Sequence, residues 1–272
     1  EHFLVTTTTA AAGLVMRHMD FVHQAFCGGW DVRMSSVTES WAQFCIAGPK
    51  APALLAALGI NADLPFMGCA PVTLGGVRGR LFRISFSGEQ GYEIAVPTRY
   101  GAALFDRLVE AAQGLEGCAY GMEALNVLRV EKGFITHAEI HGRVTADDVG
   151  LGGMVARKDC IGKPASQRPG LTEAGREQLV GLMPVNQGEV LTAGAHLYNE
   201  RDAATRENNQ GYVTSVAPSP TLDMWLGLGF LKNGRARHGE VIRLDDGLRG
   251  RKVLVEVCHP VFFDPEGGRM RG

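Results

Sequence analysis

The chain has 272 residues, enough for one large domain or two modest ones and for a core that needs neither disulfides nor metal. Its 27 Lys and Arg against 29 Asp and Glu leave a formal charge of −2, which argues against general nucleic-acid binding. No apolar run approaches the ~18 residues of a membrane span. Glycine stands out: 36 residues is about twice the usual ~7 % share, and they punctuate short alternating segments as turns of a β-rich fold would. The six cysteines (Cys27, Cys45, Cys69, Cys118, Cys160 and Cys258) contain no CxxC pair and have mostly apolar sequence neighbours. They read as reduced thiols in or near the core, which fits a cytoplasmic protein.

In chain order, residues 3–6 read as a strand already at the start, the pattern of a piece of a longer chain. Thr8 or Thr9 can then cap an Ala-rich helix running to about residue 26. Residues 30–37 and 41–47 read as strands. Gly48-Pro49-Lys50 opens a short helix that ends near Gly59. Gly75-Gly76 marks a hairpin within residues 72–86, and residues 92–96 form another strand. Residues 100–112 and 122–132 place Leu104, Leu108, Leu125 and Leu128 at helical spacing, and Gly133 stops the second helix. Composition changes after residue 165. Residues 166–177 read as a linker between an α+β region, 1–165, and a β domain, 178–272. The β domain offers six short strand candidates at 179–183, 195–198, 211–216, 226–231, 241–244 and 252–257, a spacing that suggests a small barrel or sandwich.

No nucleophile elbow, phosphate-binding glycine loop, zincin motif or dinucleotide fingerprint is present. His137 and His141 have the spacing of a metal pair, but no third ligand lies near and glycines bracket the stretch, so they read as loop histidines. The segment Phe86-Ser87-Gly88-Glu89-Gln90-Gly91-Tyr92-Glu93-Ile94 is more informative. Strand alternation puts Glu93 and Ala95 on one face and Tyr92, Ile94 and Val96 on the other. A carboxylate facing inward is costly unless it meets paired donors, such as adjacent N–H groups of a planar heterocycle. Composition by itself favours the plainer alternative, a surface strand with Glu93 in water.

Several stretches together resemble a known family. They are His2-Phe3-Leu4-Val5-Thr6-Thr7-Thr8-Thr9, Ser36-Val37-Thr38-Glu39-Ser40-Trp41 with Gly48-Pro49-Lys50, and Phe86-Ser87-Gly88-Glu89 with Tyr92-Glu93-Ile94. Leu128-Arg129-Val130-Glu131-Lys132-Gly133, Thr145-Ala146-Asp147-Asp148, Ser219-Pro220-Thr221-Leu222 and Phe262-Phe263-Asp264-Pro265 follow in the same order. The chain resembles the folate-binding C-terminal region of heterotetrameric sarcosine oxidase α subunits, which is similar to the glycine-cleavage T-protein (aminomethyltransferase) family.

The resemblance implies an α+β, three-lobed folate-binding fold, incomplete at its N-terminus, with a C-terminal all-β barrel. It implies capture of the one-carbon unit of oxidised sarcosine as 5,10-methylenetetrahydrofolate, with tetrahydrofolate as cofactor. Flavin and NAD would belong to other domains or subunits, and the other sarcosine oxidase subunits would be partners. The pterin-binding glutamate falls on Glu93, which favours the inward-facing reading. Phe86, Thr7, Thr8 and Tyr92 are the other candidate folate contacts. An arginine that holds folate in T-proteins falls on Leu125, which disfavours a stand-alone aminomethyltransferase, while Arg129 matches a structural arginine. The family's reacting carboxylate would lie upstream of this chain. A folate-binding or docking module without catalysis is the remaining alternative.

Overall fold

A computed structural model describes residues 1–157 and 159–272, with the side chains of Thr9 and Ala156 outside the description. The N-terminal segment carries helix α1 (Ala12–Phe26), preceded by a single 3-10 turn, Thr9–Ala11. Four antiparallel strands follow, β1 (Trp41–Ala47), β2 (Cys69–Leu74), β3 (Val77–Phe82) and β4 (Gly91–Pro97), in the spatial order β1-β4-β3-β2. Helices α2 (Ala51–Ala57) and α3 (Gly101–Gln113) cover one face of this sheet. Ile46, Leu81, Ile94 and Val96 from the strands meet Leu54, Leu55, Leu104 and Leu108 from the helices there. Pro52 lies in the first turn of α2, where its missing N–H costs nothing.

Helix α4 (Met122–Glu131) connects this lobe to the second. Three short helices follow it: α5 (Gly152–Ala156), α6 (Gly162–Ser166) and α7 (Pro169–Thr172). The strands β5 (Glu177–Pro184), β6 (His196–Asn199), β7 (Gly211–Ser219), β8 (Met224–Lys232), β9 (Val241–Asp246) and β10 (Arg251–Cys258) then close a barrel in the order β10-β5-β8-β7-β6-β9. A four-residue helix, α8 (Gly268–Arg271), ends the chain.

The barrel interior is Val180, Leu182, Leu197, Leu231, Leu244 and Val255 with their neighbours. Strand β8 is buried on both sides. Its Leu226, Leu228 and Phe230 point outward against Val130 of α4, while Gly227 and Gly229 point inward. A methyl group on Gly229 would sit 2.8 Å from the Tyr212 carbonyl oxygen and 3.2 Å from Leu182, so the bore has no room for a side chain there. Strand β7 carries a bulge between Val213 and Ser215. It inverts the alternation, so that Val213 faces the interior while Ser215, Ala217 and Ser219 face α4.

The six expected barrel strands and the four strands of the first sheet are all present, as are the helices after residues 50, 100 and 122. Residues 3–6 and 30–37 are not strands, because no neighbouring strand pairs with either segment. Helix α1 has Ala11 at its N-cap and no side-chain cap, so Thr8 serves only through its carbonyl, which accepts from Ala11 N–H at 3.0 Å; the Thr9 side chain lies outside the described residues. Strand β3 ends at Phe82, where Arg83 turns its guanidinium to the Gly91 carbonyl, 3.1 Å away. The expectation of core thiols is corrected: Cys45, Cys69, Cys118 and Cys160 are exposed and none of the six is fully buried, although all are free. Sheet alternation sends the apolar neighbours of Cys45 and Cys69 inward and leaves the thiols on the other face. Among the described residues no group of His, Cys, Asp and Glu could hold a metal, and His141 instead contacts the Tyr212 hydroxyl at 2.7 Å. No helix among them is long and apolar enough to cross a membrane.

Candidate functional site

The face of the first sheet opposite its helices carries the polar chemistry. The register pairs Cys45 with Glu93 and Gln43 with Ala95 across β1 and β4, and pairs Phe82 with Glu93 and Arg80 with Ala95 across β3 and β4. These six residues therefore share one face, as strict alternation requires. Ala95 is small enough for Arg80 to reach across the strand, placing its guanidinium 4.2 Å from the Trp41 ring centroid, a cation–π contact.

Glu93 is half-buried, and its Oε2 accepts a hydrogen bond from Gln43 Nε2. Among the described residues its Oε1 takes no hydrogen bond. One carboxylate oxygen is thus anchored and the other remains an open acceptor. Tyr120, from the loop after α3, donates its hydroxyl to Cys45 Sγ at 3.2 Å. Burial first, then the Cys45 contact and the negative charge of Glu93, push the Tyr120 pKa far above the usual phenol range. Although the Cys45 side chain keeps exposed surface, the protein packed around its thiol desolvates it enough to raise its pKa, with Tyr120 opposing and Glu93 adding to the shift. Both groups are therefore neutral near neutral pH.

The other expected contacts sit elsewhere. Tyr92 is on the opposite face, 2 % exposed, with its hydroxyl donating to the Ala62 carbonyl at 3.2 Å and Arg83 stacked on its ring. Alternation therefore separates it from Glu93. Phe86 lies in the loop between β3 and β4 and stacks on Phe134, with ring centroids 5.7 Å apart and an interplanar angle of 14°. It keeps 37 % of its surface exposed, so a flat aromatic edge is available. The loop is held by Gly88 N–H donating to Ser85 Oγ at 3.1 Å and by Glu89 pairing with Arg269 at 2.6 Å. Gly88 has φ +81°, a conformation that favours glycine, and packs on the stem of Lys132. Thr7 and Thr8 lie in the irregular segment before α1, where Thr7 Oγ1 donates to the Thr8 carbonyl. Nothing in the sequence singled out Gln43, Cys45 or Tyr120. Gln43 and Cys45 reach Glu93 only through the β1–β4 register, and Tyr120 meets Cys45 from 75 residues further along the chain.

A second polar cluster locks the lobes together. Arg129 of α4 is 6 % exposed and donates to Asn126 Oδ1 at 2.7 and 2.9 Å, to Ser215 Oγ at 2.8 Å and to Glu139 at 3.4 Å. Glu139 is fully buried. Burial works to raise its pKa, but donors from Ser215, Thr214 and the Thr136 N–H, together with Arg129, outweigh it and hold the carboxyl below the usual range. Glu131 accepts from Ser219 Oγ at 2.6 Å, and Lys132 pairs with Asp264 at 3.0 Å. Every charge in this cluster has its partner inside the protein, which marks it as architectural.

Comparison with known proteins places this arrangement in a family. Residues 1–159 match the GCVT N-terminal domain, and residues 177–264 match the glycine cleavage T-protein C-terminal barrel domain. The sarcosine oxidase subunit alpha of Rhizobium meliloti is 44 % identical over 99 % of this chain, and that of Corynebacterium sp. strain U-96 is 36 % identical over 100 %. The chain spans only 28 % and 29 % of the length of those two relatives. The aminomethyltransferase of Mycobacterium bovis is 29 % identical over 96 % of the chain and 68 % of its own length. The crystal structure of aminomethyltransferase T from Bartonella henselae superimposes with a TM-score of 0.76 at 23 % identity, covering 94 % of this chain and 67 % of that one. With both domain models matched in order and the sheet and barrel in the corresponding places, the chain belongs to the glycine-cleavage T-protein family.

Proposed function

We propose that this chain is the tetrahydrofolate-binding portion of a sarcosine oxidase α subunit, and that it captures the one-carbon unit of oxidised sarcosine as 5,10-methylenetetrahydrofolate. The observation that carries this reading is Glu93: a carboxylate on the open sheet face, anchored through one oxygen and open at the other. A reduced pterin offers the 2-amino group and the neighbouring ring N–H as two parallel donors, which is the pattern a carboxylate accepts. The residues present therefore fit the group. Gln43 fixes the carboxylate plane, Phe86 offers a half-exposed ring, and the 44 % identity with a sarcosine oxidase subunit favours this branch over free aminomethyltransferases.

When bound, the folate supplies two nitrogens that take the carbon as a methylene bridge and release the amine. The contribution of this chain is orientation, which makes the encounter of carbon and nitrogen effectively intramolecular. Leu125, half-buried in the first turn of α4, offers no charge to the ligand, so Glu93 provides the main polar grip. Thr7 and Thr8 are further candidate hydroxyl contacts. Flavin and NAD chemistry falls to other segments or subunits.

The test is calorimetric titration with 5-formyltetrahydrofolate, a stable reduced folate. Wild type is expected to bind, and Glu93→Ala to bind about 10- to 150-fold more weakly, the scale of a charged hydrogen bond at ~1.5–3 kcal/mol. A folded wild type that does not bind, or a Glu93→Ala variant that binds equally well, overturns the reading.

A further inference from the structure

On the β1 side of the open face, Gln43 and Cys45 occupy successive outward positions, with Glu93 directly across from Cys45. The carboxylate therefore has an amide donor bonded to it and, at the next outward position, the phenol that Cys45 holds. The hold is weak, because a thiol sulfur is a poor acceptor and Tyr120 is 39 % exposed. Burial and the nearby Glu93 charge keep the phenol protonated, so it can only gain by meeting an oxygen or ring-nitrogen acceptor.

The ligand proposed above supplies that acceptor. In a 2-amino-4-oxopteridine the two adjacent donors are flanked by acceptors on both sides, N1 beyond the amino group and O4 beyond the ring N–H. A carboxylate that takes the donor pair brings a flanking acceptor to any donor standing beside it. We infer that Tyr120 leaves Cys45 on binding and donates to a flanking acceptor of the ring held by Glu93, making it a specificity-determining contact for 2-amino-4-oxopteridines. Cys45 is then a positioning residue that parks the hydroxyl beside the carboxylate. This inference rests on the folate reading of the Glu93 face.

The test is a double-mutant cycle read by calorimetry with 5-formyltetrahydrofolate, with melting temperature as the check on folding. Tyr120→Phe is expected to weaken binding about 3- to 10-fold, the size of one neutral hydrogen bond. Cys45→Ala removes the competing acceptor and should tighten binding or leave it unchanged. Cys45→Ser supplies a stronger acceptor, holds the phenol back and should weaken binding. Both Cys45 effects should vanish in the Tyr120→Phe background, which a merely structural contact would not produce. If Tyr120→Phe and Cys45→Ser bind as wild type while Glu93→Ala loses binding, the inference is overturned and the folate reading stands. Cys45→Ala and Cys45→Ser weakening binding alike in both backgrounds also overturns it. A wild type that binds no folate removes both.

Discussion

The barrel strands pair edge to edge until β9 meets β10, so every strand has two neighbours and the inward side chains fill the bore. The first sheet ends at β1 on one side and β2 on the other, and among the described residues helices α2 and α3 cover one of its faces. The uncovered face holds Glu93, Gln43, Cys45 and Arg80, polar or polarisable groups that a packed core would exclude. On the barrel, Ser215 and Ser219 face α4 and are engaged there by Arg129 and Glu131. Closure and full pairing make one lobe a support. Incomplete covering leaves the other with unspent hydrogen-bonding capacity, which is what a binding surface needs.

This contrast predicts a graded series of effects. The largest falls on the seam that serves only architecture. Glu139→Ala leaves Arg129 buried without its anion, and urea denaturation is expected to record a loss of about 3–5 kcal/mol. Leu228→Ala empties a fully buried position between β8 and α4, and about 2–5 kcal/mol is expected from the same measurement. By contrast, Glu93→Ala removes one hydrogen bond from an open face and should cost about 1 kcal/mol or less. A stability loss for Glu93→Ala as large as that for Leu228→Ala would break the distinction between the two lobes.

Acidification tests the seam without mutation. Glu139 and Asp148 are both held below the usual carboxylate range; for Asp148, burial is outweighed by Arg176 and by the N–H and hydroxyl of Thr145. A carboxyl whose folded pKa lies below its unfolded value stabilises fully above that value, and the contribution is lost as pH falls toward the folded pKa. Stability should therefore hold from neutral pH down to about 5 and decline below about 4, where unfolded carboxylates take up protons. Denaturant midpoints measured across that range check the sign, and Asp148→Asn should flatten the acid limb.

The smallest effect is expected at Cys45. Cys45→Ala, on the open face, should shift stability by no more than about 0.5 kcal/mol, within the range of surface substitutions, while tightening ligand binding or leaving it unchanged. A differential scanning measurement beside the titration separates the two quantities.

Much of this contrast can be read before any coordinates. The alternation of Tyr92, Glu93, Ile94, Ala95 and Val96 separates Glu93 and Ala95 from the other three, and β4 keeps that separation, with Tyr92, Ile94 and Val96 on the helix-packed face. The Gly75-Gly76 turn and the six evenly spaced strands after residue 177 are equally local signals. The strand expectations at 3–6 and 30–37 failed because β propensity describes a segment, whereas a strand exists only with a partner. The cysteines misled for a related reason: apolar sequence neighbours of a strand residue occupy the other face. The candidate site was only partly legible, since Glu93 and Phe86 were candidates from the sequence, whereas Gln43, Cys45 and Tyr120 drew no attention before the register and loop path placed them near Glu93.

The sequence by itself determined the class of each lobe, which side chains of β4 share a face and the family to which the chain belongs, because periodicity, turn residues and ordered motifs are properties of neighbouring positions. Tertiary structure alone decided that Cys45 stands opposite Glu93, that Tyr120 reaches Cys45, and that the β7 bulge turns Ser215 toward Arg129. Those placements depend on strand register and loop path between residues far apart in the chain. Such long-range choices are settled by burial of the whole core and not by any local pattern.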